Sequence, residues 1–99
     1  MSSECYWVYI LQCANNTYYT GYTNDLTKRY EAHLRGKASK YTRSFKPVRI
    51  AQSWEIKGDK SLAMKMERYI KKLSRMEKEK IIAQPFLLTE IQCTHDTKD

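Results

Sequence analysis

The apolar pattern predicts an α/β (α+β) domain, a three-stranded antiparallel sheet flanked by helices in the order β-β-α-β-α-α. Three observations predict it. Two aromatic and β-branched runs near the N-terminus are separated only by an Asn-rich turn, as in a hairpin. Two later stretches repeat apolar residues every three or four positions, as helices do. A third strand-like run lies between them, and a hairpin needs such a partner because two strands alone are marginal in water.

Tyr6 to Cys13 reads as the first strand, apolar on both faces and therefore suited to the middle of a sheet. Ala14-Asn15-Asn16 is a turn, since Asn tolerates left-handed backbone. Thr17 to Tyr22 returns as the second strand, with Tyr19 and Gly21 on one face. A glycine inside a strand weakens it, which hints at a close approach to the backbone there. Thr23-Asn24-Asp25 offers N-caps for a helix whose apolar stripe is Leu26, Tyr30 and Leu34. Arg29 and His33 lie one step beside that stripe and can project toward the hairpin. Gly36 closes the helix.

Lys37 to Arg49 reads as a basic loop, with Lys37, Lys40, Arg43, Lys46 and Arg49 interleaved with Tyr41 and Phe45. Val48 to Ile56 has strand character. Ser61 to Leu73 is a second helix, buried through Leu62, Met66, Ile70 and Leu73. Ser74-Arg75-Met76-Glu77 matches a capping box that starts a short helix running to about Ala83. Residues 1–85 are thus expected to form one domain, and residues 86–99 a polar, mobile tail.

Charge is concentrated rather than spread. The chain holds 18 Lys and Arg against 11 Asp and Glu, a net +7. Seventeen of the basic residues fall between Lys28 and Lys80, against six acids. Such a confined positive field points to a polyanion, although a solvated basic face is the blander explanation. Cys5, Cys13 and Cys93 form no Cys-x-x-Cys pair, and with His33 and His95 they give no zinc spacing. The N-terminus lacks the basic and apolar regions of a secretory signal, and no stretch reaches the length of a membrane helix. A cytoplasmic protein with reduced thiols is expected.

The order of the polar and aromatic residues resembles the GIY-YIG endonuclease family, and within it the small, stand-alone, single-domain branch. Tyr9 corresponds to the tyrosine of the first motif, and Tyr19 and Gly21 to the ends of the second. Arg29 follows the glycine by eight positions and His33 comes four later. Glu67, the one acid of the second helix, corresponds to the metal-binding glutamate. Lys40 to Arg43 and Lys71 to Ser74 match segments of that branch. The departures are Trp7 in place of glycine, Thr20 in place of isoleucine, Tyr22 at a position that is lysine in some relatives, and no asparagine after Glu67. The resemblance implies a catalytic set of Tyr9, Tyr19, Arg29, His33 and Glu67, with Gly21 structural.

Each residue type suits cleavage of a phosphodiester. An attacking water must lose a proton, and a tyrosine accepts one poorly unless nearby cations lower its pKa, a condition Tyr9 or Tyr19 would meet beside Arg29 and His33. A guanidinium holds phosphoryl oxygens. An imidazole orients or protonates a scissile oxygen, or else merely edges the helix. Glu67 is bracketed by Ala63, Met66 and Ile70, and a carboxylate beside the buried face is costly unless paired or metal-bound. One carboxylate with waters and phosphate oxygens suits one Mg²⁺ or Mn²⁺ ion; the alternative is an i,i+4 pair with Lys71.

The first reading is therefore a metal-dependent endonuclease acting on DNA, directed by structure rather than sequence, in repair, recombination or processing. RNA as substrate stays open, and a protein partner is not legible. Lys37, Lys40, Tyr41, Arg43, Lys46, Arg49, Lys71 and Lys72 would bind the nucleic acid. The alternative is a nucleic-acid-binding module that keeps the fold but has little activity. A basic protein-interaction domain ranks third.

Overall fold

β1 (Cys5–Cys13) is buried from Val8 to Leu11 and again at Cys13, which only a strand covered on both faces can be. In the computed structural model, which describes residues 5–88, it is the central strand. β2 (Tyr18–Thr23) pairs antiparallel on one side and β3 (Pro47–Lys57) on the other, giving the order β2-β1-β3. The hairpin turn rests on Asn16 in left-handed backbone, at φ 62°.

The helices are α1 (Leu26–Leu34), α2 (Lys40–Ser44), α3 (Lys60–Lys71) and α4 (Arg75–Ala83). The predicted order therefore holds with one short helix added. Ser39 creates α2 by accepting the Thr42 N–H at 3.1 Å, so the basic segment is not wholly a loop. Asp25 and Asp59 cap α1 and α3 in the same way. Gly36, at φ 75°, ends α1. Its N–H donates to the His33 carbonyl, and that of Lys37 to the Ala32 carbonyl, the paired bonds of a Schellman close.

One face of the sheet carries the main core. Val8, Ile10, Trp54 and Ile56 pack against Ala63, Met66 and Ile70 of α3 and Ile81 of α4. Leu88 joins this cluster and is fully buried, so the expected boundary at residue 85 falls short of the packed unit. The rest of the expected tail, from residue 89, lies outside the described residues.

α1 differs from expectation. Leu34 is 38% exposed, and the buried residue of the helix is His33. The helix is turned about one position from the predicted stripe. The sheet offers it the Tyr9 phenol and α2 the Thr42 hydroxyl, and an imidazole satisfies both where leucine satisfies neither.

The α4 capping box is present in full. The Ser74 side chain accepts the Glu77 N–H, and the Glu77 carboxylate accepts the Ser74 N–H at 2.9 Å. Ser74→Ala should cost about 1 kcal/mol, a fall in Tm of about 4–8 °C for a domain of this size. Thermal unfolding followed by circular dichroism checks this, and an unchanged Tm would show that the box contributes nothing.

Candidate active site

Antiparallel register sets Tyr9 opposite Gly21. The Tyr9 ring lies across the glycine so closely that a Cβ built there would sit 2.5 Å from the phenol oxygen and 2.7 Å from Cζ. Glycine at 21 is required by this close approach.

Tyr9 is 2% exposed and His33 is 1% exposed. The Tyr9 hydroxyl is 2.9 Å from His33 Nε2, and Nδ1 of the same ring is 2.7 Å from the Thr42 hydroxyl. Ser39 Oγ lies 2.9 Å from that hydroxyl in turn. A hydrogen-bonded line thus runs from Tyr9 through His33 to the start of α2. Two proton orders satisfy it. In one, Tyr9 donates to Nε2 and Nδ1–H donates to Thr42. In the other, every donor is reversed. Only the first leaves Nε2 able to take the Tyr9 proton.

Burial pushes the Tyr9 phenol up to about 12, against a weaker downward pull from the Arg29 guanidinium beside it. Cations were expected to lower this pKa, and the desolvation of a buried phenol outweighs them. Burial, with Arg29 adding to it, pulls His33 down to about 4. Tyr9 and His33 are both neutral at pH 7.

Tyr9, Tyr19, Gly21, Arg29 and Glu67 line one open polar cleft of about 390 Å³. Tyr6, Tyr22, Thr23, Asn24 and Lys60 complete it. Successive strand residues point to opposite faces, so a cleft touching both Gly21 and Tyr22 lies at the free edge of β2. α3 reaches this edge from the core side and brings Glu67. His33 does not line the cleft; it stands behind Tyr9. A direct contact with a scissile oxygen, one of the roles the sequence left open for it, is therefore not what this geometry offers. Lys60 escaped the sequence reading because it sits one residue past the Asp59 cap, with no motif to mark it.

Glu67 pairs with Lys71 at 3.4 Å, the alternative raised above, and still faces the cleft. The lysine is half exposed, so the pair is weak and readily exchanged for a stronger partner. Among the described residues Glu67 is the only carboxylate lining the cleft, and no cluster of three His, Cys, Asp or Glu occurs. One carboxylate in an open polar cleft fits Mg²⁺ or Mn²⁺, which keep waters and take phosphate oxygens. It does not fit zinc.

The basic candidates divide. Lys46 Nζ donates to the Leu34 carbonyl at 2.9 Å and Arg49 Nε to Gln12 at 2.8 Å, so both are held by the fold. The Arg43 stem packs against Gly36. Lys37, Lys40 and Lys72 are exposed. Tyr41 stacks with Tyr19, at 6.0 Å between centroids and 14° between planes. The two described thiols are elsewhere. Cys13 is buried, and its pKa is raised by that burial. Cys5 donates to Glu55, which raises its own pKa. Neither suits a nucleophile.

Comparison with known proteins agrees. Residues 5–80 match the GIY-YIG catalytic domain. The UPF0213 protein BH0048 of Halalkalibacterium halodurans is 41% identical over 78 residues, covering 79% of this chain and 82% of that protein. A UPF0213 protein of Natronomonas pharaonis is 44% identical, covering 79% of this chain and 91% of the relative. The solution NMR structure of BH0048 superposes with a TM-score of 0.53 at 39% identity, over 86% of this chain and 93% of that one.

Two outcomes test the geometry. Gly21→Ala should displace Tyr9 and destabilise the fold by about 1–3 kcal/mol. Denaturant unfolding reads the stability and the His33 ring signals read the displacement; a variant as stable as wild type would refute the close approach. The His33 ring should titrate near 4 by NMR. Its folded pKa lies below the ordinary 6.5, so between the two values only the unfolded chain binds the proton. The associated stability is present above pH 6.5 and is lost as the pH falls toward 4. His33→Gln should lack this part of the pH dependence, and a His33 titration near 6.5 would contradict it.

Proposed function

This chain belongs to the GIY-YIG catalytic domain family, and from that premise we propose that it is a metal-dependent endonuclease. It would hydrolyse phosphodiester bonds in DNA, guided by structure rather than sequence, in repair, recombination or processing in the cytoplasm. No helix among the described residues is long and apolar enough to cross a membrane. The observation that carries the reading is the meeting of Tyr9, Tyr19, Arg29 and Glu67 on one polar cleft.

In this reading Arg29 holds the phosphoryl oxygens and balances the charge that builds on them. Tyr9 takes the proton of the attacking water. A free phenolate is scarce when the pKa is about 12, so Tyr9 passes its own proton to His33 Nε2 as it receives the new one. His33 is a weak base partly because Arg29 is near. A phosphate on Arg29 cancels that charge and makes the imidazole a better acceptor at the moment it is needed. Thr42 fixes the ring. Tyr19 and Lys60 also line the cleft, and Lys60 supplies a second positive charge. Glu67 would hold the Mg²⁺ or Mn²⁺ ion, which supplies charge stabilisation at the phosphate and a more acidic water. Lys37, Lys40, Tyr41, Arg43, Lys71 and Lys72 would contact the backbone or bases, while Lys46 and Arg49 contribute field from fixed positions.

The test is a nuclease assay on labelled single-stranded, duplex, flap and branched DNAs with Mg²⁺, Mn²⁺ or EDTA. Wild type should cut only with metal. Glu67→Ala and Arg29→Ala should each lose about 100-fold or more in rate, and Tyr9→Phe about 10²–10⁴-fold. Binding in EDTA should survive in Glu67→Ala. Undiminished cleavage by Glu67→Ala would overturn the proposal. Binding without cleavage across the whole panel would leave the alternative, a nucleic-acid-binding module on the nuclease fold.

A further inference from the structure

Beside the cleft lies a second pocket of about 300 Å³, lined by Tyr18, Tyr19, Thr20, Tyr41, Lys71 and Lys78. Tyr19 belongs to both, so the two sites are separated by one side chain. Two of its rings, Tyr19 and Tyr41, belong to an aromatic row that continues beyond the pocket at both ends. His33 meets Tyr19 edge-on at 5.3 Å, Tyr19 stacks on Tyr41, and Tyr41 meets Phe45 at 5.2 Å. The outer two are well exposed, Tyr41 at 36% and Phe45 at 40%. The Tyr41 hydroxyl bonds with Thr17 and accepts from Asn15 at 3.2 Å, so the ring plane is fixed before any ligand arrives. Lys71 and Lys78 add positive charge from α3 and α4. Beside them the Thr20 hydroxyl is buried and has no hydrogen-bond partner among the described residues.

An oriented aromatic plane and two ammonium groups match a nucleotide: a flat base and a phosphate. The volume suits one such unit. A base inside a continuous duplex has both faces covered by its neighbours and cannot stack on a protein ring. Resting on the endonuclease reading, we infer that this pocket holds one unpaired nucleotide of the strand being cut, adjacent to the scissile phosphate. Its base lies on the Tyr41 side and its phosphate between Lys71 and Lys78. The substrate class is therefore nucleic acid with unpaired nucleotides at the cut site, such as a single strand, a flap or a frayed end.

Binding in EDTA tests this apart from catalysis. Oligonucleotides carry 2-aminopurine either in a flap or inside a continuous duplex. Wild type should quench the unpaired probe and leave the duplex probe unchanged. Tyr41→Leu should weaken flap binding about tenfold, as expected for one lost base stack, with duplex binding unchanged. Tyr41→Phe, which keeps the ring, should bind the flap like wild type. An unquenched flap probe with wild-type protein overturns the proposal without any variant. Equal losses for flap and duplex in Tyr41→Leu overturn it as well. Quenching by a protein that cuts nothing would uphold the subsite and refute the endonuclease reading, so the two fail separately.

Discussion

The packing of Tyr9 across Gly21 is the constraint on which the site depends. It needs β1 and β2 in one register, and a slip of a single residue would put Tyr9 on the opposite face. It also needs the smallest residue at 21, because any side chain would occupy the space of the phenol. With the ring seated there, its hydroxyl meets His33, and α1 turns its imidazole inward to meet it. That turn leaves Leu34 half in solvent. The helix gives up part of an apolar contact in exchange for satisfying a buried phenol and a buried threonine, groups that would be costly to leave unpaired.

Burial acts in opposite directions on Tyr9 and His33 with a common result. It raises the pKa of the acid and lowers that of the base, so both stay neutral and the line from Tyr9 to Thr42 holds no net charge. The charges gather on the solvent side, at Arg29, Lys60 and Glu67. A neutral relay behind a charged cleft is stable because no ion is buried in it. The arrangement also makes the relay sensitive to what binds in front, since Arg29 touches the titration of both groups.

Much of this was legible in the sequence, for identifiable reasons. Aromatic and β-branched runs fix the strands, side-chain caps fix the helix starts, and the odd glycine of β2 marks a close approach. The identity of what approaches was not legible, because it depends on cross-strand register. The α2 helix is five residues long and rests on one serine cap, too little periodicity to read. The rotation of α1 was missed because leucines suggest a stripe, whereas β1 and α2 present polar groups, Tyr9 and Thr42, at that point. The fates of Lys46 and Arg49 were also hidden. Both look like free cations in a basic segment, yet each is committed to a partner 12 or more residues away.

The sheet edge explains why residues from both faces can share one site. A central strand separates its two faces completely, and a helix on one cannot reach the other. β2 has a neighbour on one side only, so α3, packed on the core face, can bring Glu67 to the rim where Tyr9 and Tyr19 emerge from the other. Exposed edges invite pairing with other chains. Here the edge is short, at six residues, and is flanked by Lys60, Lys71 and Lys78. Those lysines discourage a second strand and favour a polyanion, so the charge that protects the edge also selects what lies along it.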